Sequence, residues 1–355
     1  MPVAFSTALE PAALVEHFVA HPPQGFTAQR TASGMPSFLA PFDLLTTADD
    51  ALRRRLGCLP FYRAWGHLLR WRTRFVGCTV TEYAPLPAQA SPAALARELF
   101  EAYARERALL IVKDLPQDSP LLDAAANAQA EALATELAAR GFVLLEGMPL
   151  AWVPIDFGSV DGYLARLSAA RRKDIRRKLR SRAQLEVEAL ATGAPTFADP
   201  DVIDAYYALY RNVHAQSTIH FDLLGREFLR RVLQDATSAG VVFAYRSAGR
   251  LIGWNLCYVH AGKLVDKYVG FAYPEARAHN LYAVSWMHNL DYARMHGLSH
   301  YVAGWTDPQI KAYLGARLSP TRHAVYLRNP LLRALLRRLA GHFEGEAASP
   351  MEAAT

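Results

Sequence analysis

At 355 residues, with 52% hydrophobic and 20% charged side chains and a net charge of +6, the chain can fill one large core or two ordinary ones. That composition excludes an intrinsically disordered chain. Its three cysteines, Cys58, Cys78 and Cys257, are too scattered for a disulfide framework and lack the paired spacing of a zinc site.

No run of some eighteen apolar residues is present to cross a membrane. The first residues also lack a basic stretch ahead of an apolar one, so the expectation is a cytoplasmic protein. Residues 1–30 read as a loosely ordered segment and 31–160 as a first lobe. In that lobe SPAALARELFEAYARERA (91–108) opens with Ser-Pro, a helix cap followed by proline in the first turn. ALLIVKDL (108–115) reads as a buried strand, SPLLDAAANAQAEALATELAARG (119–141) as a helix stopped by Gly141, and FVLLEG (142–147) as the next strand. AWVPIDF (151–157) reads as a strand that Pro154 places at an edge or bulge.

RRKDIRRKLRSR (171–182) carries eight basic residues and one acid. Leu164, Leu167, Ile175 and Leu179 fall close to one helical face, and Ser168 stands where it can cap. The pattern predicts a linking helix over 161–183 with a solvated cationic side. No RNA-binding signature or aromatic interleaving accompanies it.

Residues 184–328 form the second lobe. A strand (184–190) and two helices (199–215 and 226–240) precede three strands at 241–247, 250–260 and 263–273, joined by Ala-Gly turns as an antiparallel meander. A helix (279–297), a strand (298–304), a short helix (309–316) and a last strand (321–329) follow. Residues 329–355 read as an amphipathic helix and a flexible tail. NPLLRALLRRLAGHF alternates leucine pairs with Arg333, Arg337 and Arg338, which suits either packing on its own domain or peripheral contact with an anionic membrane.

The order meander, helix, strand resembles the core of the GNAT (N-acetyltransferase) fold. Leu167-Ser168 with Arg171 and Arg172, the strand through Tyr268, and Lys311 with Gly315 are similar to the pattern of one GNAT-like branch. That branch contains the Fem-type peptidyltransferases of cell-wall synthesis and related envelope acyltransferases. The resemblance covers about residues 150 to 328. It implies an α/β (α+β) fold, with a mixed, largely antiparallel sheet flanked by helices, in two GNAT-like lobes.

The activity it implies is acyl transfer to an amine or hydroxyl of a cell-envelope or small-molecule acceptor. With no long helical-hairpin insertion, such as several Fem-type ligases carry, acyl-CoA is the expected donor. Aminoacyl-tRNA is the alternative, and a catalytically silent scaffold binding nucleic acid or membrane is a third reading. No permanently bound cofactor is implied.

Direct transfer needs groups that position both substrates, accept a proton and donate to the carbonyl oxygen. Asp266, Tyr268 and Asn255, on the central strands, are the expected catalytic residues, with Trp254 beside the acceptor. The resemblance places the donor phosphates at the turn Arg277, His279, Asn280 and Leu281, although Asn280 and Tyr282 stand where the family has small residues. Lys311, four residues after Asp307, meets donor or acceptor phosphate by the same analogy. His214, Ser217 and His220 lie where this family approaches the acceptor. His288, His296 and His300 have no carboxylate cluster beside them, so no metal site is expected.

Overall fold

The computed structural model describes residues 3–43, 70–217 and 221–343. Two sheets account for the strands. The first runs β1 (Thr27–Arg30), β2 (Pro36–Asp43), β3 (Arg70–Val76), β4 (Leu109–Pro116), β13 (Thr321–Leu327), β5 (Val143–Glu146). The second runs β12 (Arg317–Ser319), β6 (Leu150–Pro154), β11 (His300–Gly304), β10 (Lys263–Phe271), β9 (Arg250–His260), β8 (Gly240–Ser247), β7 (Glu186–Ala191). The meander β8–β9–β10 is antiparallel throughout, and β10 then pairs in parallel with β11. This is a GNAT-like order in a mixed, largely antiparallel sheet.

Each sheet contains one parallel pair with a helical crossover, as the short reach of a parallel connection demands. In the first, β3 and β4 are joined through helix α2 (Pro92–Tyr103). In the second, β10 and β11 are joined through α9 (Leu281–Met295). Beside each pair lies a strand from the other half of the chain. β13 comes from the far end to sit between β4 and β5, and β6 comes from the middle to sit between β11 and β12. Sheet membership therefore departs from the division at residues 31–160 and 184–328 in these two strands. Nor is β6 an edge strand: Pro154 stands at its end, opposite His300, where the ladder does not need its missing N–H.

The first thirty residues also differ from expectation. They form α1 (Ala13–Ala20) and β1, with Leu9, Leu14, Val15 and Phe18 buried. Their apolar residues are few but fill a core shared by both lobes. Phe18, Phe38 and Phe75 of the first lobe belong to the same cluster as Phe228, Trp254 and Tyr268 of the second. Phe228 comes from α7 (Arg226–Leu233), which stops well short of Gly240; that glycine opens β8 instead.

Caps follow the sequence closely. Ser91, Asp123, Ser159, Ser168 and Asp199 each accept a backbone N–H at the start of a helix. Those helices are α2, α3 (Ala124–Ala139), α4 (Val160–Ala165), α5 (Ala169–Leu179) and α6 (Pro200–Gln216). The basic run occupies α5 and the 3-10 turn after it, with only Ile175 of the helix buried.

Exchanged strands and a common core tie the lobes into one cooperative unit. Calorimetry should therefore show a single unfolding transition for the whole chain. Two well-separated transitions would contradict this architecture.

Candidate active site

The site begins with a register slip. Asp266 pairs with Cys257 and Tyr268 with Leu256, so Lys267 is an extra residue in β10. Without that β-bulge Asp266 and Tyr268 would share a face; with it they part. Asp266 points to α9, and Tyr268 packs on Phe228 of α7 with ring centroids 5.9 Å apart. The Lys267 side chain leaves the sheet for the other lobe, where its ammonium pairs with Glu82 and, at 3.1 Å, with Glu10.

All three side chains of this triad are at most 5% exposed. Burial raises the Glu10 carboxyl above the usual carboxylate range. For Lys267 burial acts to lower the pKa, but the charges of Glu82 and Glu10 outweigh it and hold the ammonium above an ordinary lysine. One oxygen of each glutamate, Oε2, is buried without a hydrogen-bond partner.

Behind the bulge Asp266 is held in a polar network. It accepts from Asn255 Nδ2 at 3.2 Å, Asn289 Nδ2 at 3.0 Å and the Tyr301 hydroxyl at 2.8 Å. Asn255 in turn accepts from the Tyr245 hydroxyl at 3.0 Å. Burial raises the Asp266 pKa, and the hydrogen bonds from Tyr301 and Asn255 oppose it. The sequence brings Asp266 and Asn255 together as expected, but in a network that locks β9, β10, β11 and α9. Tyr268 and Trp254 lie on the other face, where Trp254 is fully buried and donates to the Tyr206 carbonyl at 3.0 Å.

Beyond Val265 and Val302 the parallel pairing of β10 and β11 ends. β11 also bulges there, between Val302 and Gly304. Into this opening comes Lys311 from α10 (Pro308–Tyr313), 4% exposed, donating to the Ala303 carbonyl at 2.5 Å. Burial pulls its pKa down to about 8, while the charges of Glu82, Asp266 and Asp307 pull the other way. The α-carbon of Gly304 lies between the partners: a methyl there would stand 3.6 Å from Lys311 Nζ and 3.8 Å from Glu82 Oε2.

The residues that hold α10 come from the linking helices. Arg171 donates to the carbonyls of Ala312 and Tyr313 at 3.0 and 3.3 Å. The Tyr163 hydroxyl donates to Leu314 O at 2.6 Å. Gly315, at φ +104°, has no room for a side chain, since a methyl would fall 2.3 Å from the Tyr163 oxygen and 3.0 Å from Leu167. Leu167, Ser168, Arg171, Lys311 and Gly315, far apart in sequence, thus form one clamp that aims Lys311 into the opening.

A family model described as FemAB-like, peptidoglycan biosynthesis/recognition, matches residues 88–353, about three-quarters of the chain. The chain belongs to the FemAB-like family. No curated protein sequence matches it. Similar solved structures include the C-terminal domain of a candidate lysylphosphatidylglycerol synthetase from Agrobacterium fabrum (13% identity, covering 93% of this chain and 90% of that one, TM-score 0.55). L-PGS from Bacillus licheniformis has 9% identity over 94% of this chain and 98% of that one, at a TM-score of 0.53. FemX has 13% identity over 92% of this chain and 98% of that one, at 0.50. At such identities the likeness establishes the fold.

In this FemAB-like chain the turn 277–282 is not the open cradle expected of it. The N–H groups of Arg277, Ala278, His279 and Asn280 donate to Pro274 O, Glu275 O and Arg277 O within the one-turn helix α8 (Glu275–Ala278). Arg277 stacks on Tyr273 and donates to Gln216 at 2.5 Å, outward from the sheet. The His279 ring meets Ser247 Oγ at 3.3 Å, Asn280 adopts a left-handed conformation, and Leu281 is fully buried in the core. Asp307 is exposed ahead of α10. His214 lies in the last turn of α6, Ser217 caps that helix, and His220 falls outside the described residues.

Glu10, Glu82, Asn289 and Tyr301 were not singled out from the sequence. Asn289 had a signal, an amide amid the apolar positions of a buried helix. Glu10 and Glu82 show their role only in tertiary contact with Lys267 and its surroundings.

Replacing Lys267 with Met leaves two buried carboxylates without a countercharge, so stability should fall by about 3–5 kcal/mol. Adding Glu10→Gln and Glu82→Gln should recover much of it. Denaturant titration checks both steps, and a harmless Lys267→Met would refute the triad.

Proposed function

We propose that this chain is a Fem-like transferase that moves an aminoacyl group from aminoacyl-tRNA to an amine or hydroxyl of a cell-envelope precursor. The observation that carries the reading is the buried Lys311 ammonium at the opening of β10 and β11, held there by residues shared with the family pattern. The expectation of an acyl-CoA donor came from the lack of a long helical-hairpin insertion; at the turn 277–282, where its phosphates would bind, the N–H groups of Arg277 to Asn280 are engaged within the protein.

The chemistry follows from the charge that develops. The acceptor nitrogen or oxygen attacks the ester carbonyl, whose oxygen becomes negative in the tetrahedral intermediate. A charged Lys311 in this water-poor opening stabilises that oxygen more strongly than the same lysine in bulk water. As the intermediate collapses, the bond from carbon to the ribose oxygen breaks. That oxygen takes up a proton, and the acceptor gives one up. The Lys267–Glu10–Glu82 triad keeps the first lobe seated against this opening.

The donor's RNA needs cations on the approach. On α5, Arg176 and Arg177 are 53% and 66% exposed even though they contact Asp161 and Asp174, and Lys173 and Arg180 are exposed as well. This helix adjoins α10 through Arg171, which puts a cationic surface next to the proposed site of transfer.

Single-turnover transfer from aminoacyl-tRNA tests the role of Lys311. Its ammonium form predominates below about pH 8 and is lost above it. The rate should therefore fall as pH rises past that value, and Lys311→Ala should be slower by roughly 10²–10³ with this limb removed. A wild-type rate that still climbs past that point would mean the neutral amine is the active form.

A second test concerns the RNA. Changing Arg176, Arg177 and Arg180 together to Gln should weaken tRNA binding and flatten its salt dependence, because fewer counterions are released. Unchanged binding would remove α5 from the reading.

A further inference from the structure

Helix α11 (Pro330–Phe343) lies on the first lobe by one side only. Arg333 stacks on Tyr326 and donates to Leu327 O at 3.0 Å, and Leu336 packs against the shared core. The opposite side is apolar and uncovered. Leu331 is 79% exposed, Leu335 51%, Leu332 40% and Leu339 39%. At 3.6 residues per turn these four leucines fall in one sector of roughly 100°. Solvent-facing leucines on a helix normally occur singly; four in one sector amount to a patch.

Along the chain, the charge that flanks the patch has one sign. No Asp or Glu occurs between Asp307 and Glu344, whereas Lys311, Arg317, Arg322, Arg328, Arg333, Arg337 and Arg338 fall in that interval. Arg338 is exposed at the edge of the leucine sector, while Arg337 is exposed on the far side of the helix. Arg328 extends to the Arg105 carbonyl at the start of the helix, placing that exposed arginine nearby too. Among the described residues, no helix is long and apolar enough to cross a membrane.

We propose that α11 docks the protein on an anionic lipid bilayer, with Leu331, Leu332, Leu335 and Leu339 in the acyl–headgroup boundary and Arg328 and Arg338 on the phosphates. An apolar sector with arginines at its edge matches both layers of such a surface. A protein partner of the same apolar character would need no cationic border. This inference does not depend on the identity of the donor.

The full chain is cosedimented with phosphatidylglycerol–phosphatidylcholine vesicles and with pure phosphatidylcholine vesicles. Wild type should bind the anionic vesicles at least tenfold more tightly, and salt should weaken that binding. Leu331→Asp with Leu335→Asp should lower it at least tenfold, with circular dichroism and melting unchanged because both positions are exposed. Arg328→Gln with Arg338→Gln should remove the preference for anionic lipid. Equal binding by the leucine variant, or no vesicle binding by wild type, overturns the proposal. So does a dimer, seen by sedimentation velocity without vesicle binding, that Leu335→Asp dissolves; that result would assign the face to a second copy of the chain.

Discussion

One residue too many in β10 organises this protein. The bulge at Lys267 sends Asp266 towards α9 and Tyr268 towards α7, and it frees a lysine to cross into the first lobe. An unpaired buried lysine would be far too costly, so the position requires Glu10 and Glu82 on the facing surface. Those acids have two dependents: they fix the lobes relative to one another, and Glu82 also contributes to the potential at Lys311. Structure and candidate chemistry thus share the same few charges.

The exchanged strands explain why this polar layer is so deep. In each lobe the parallel pair stays in register for three residues and then ends, after Val76 and Val112 in one and after Val265 and Val302 in the other. A lysine stands at each opening. Lys113 donates to Cys78 O at 2.9 Å in the first lobe, as Lys311 does to Ala303 O in the second. Lys113 also lies 4.9 Å from the ring centre of Trp305, just beyond β11. The two lobes therefore present matching openings. In the first, the Lys113 side chain lies against Gly77, where an added methyl would fall 2.9 Å from its Cγ.

Much of the fold was legible because local signals agreed with the final packing. Ser168 before the basic run, Asp199-Pro200 and the Ala-Gly turns of the meander all appear where the sequence puts them. Partner choice among strands was not legible. Nothing in LAWVP or TRHAVYL states that each will join the sheet of the other half, since a strand's own pattern fixes its faces but not its neighbours. The site was half legible for the same reason. Asp266 and Asn255 stood out as polar residues on buried strands and Lys311 through the family pattern, but Glu10 lay in a segment that looked loosely ordered. The bulge at Lys267 has no composition cue, so alternation placed Asp266 and Tyr268 together when the structure separates them. The turn 277–282 gave no sign of its own fold: a one-turn helix takes up the N–H groups of Arg277 to Asn280.

The proposed site of transfer is the opening of β10 and β11, against Lys311. A crystal structure with a non-hydrolysable aminoacyl-tRNA acceptor-stem analogue, its ester replaced by an amide, would test it. The aminoacyl carbonyl oxygen should lie at hydrogen-bond distance, about 3 Å, from Lys311 Nζ, with the RNA running along the exposed face of α5. An analogue seated instead at the turn 277–282, its carbonyl remote from Lys311, would contradict it.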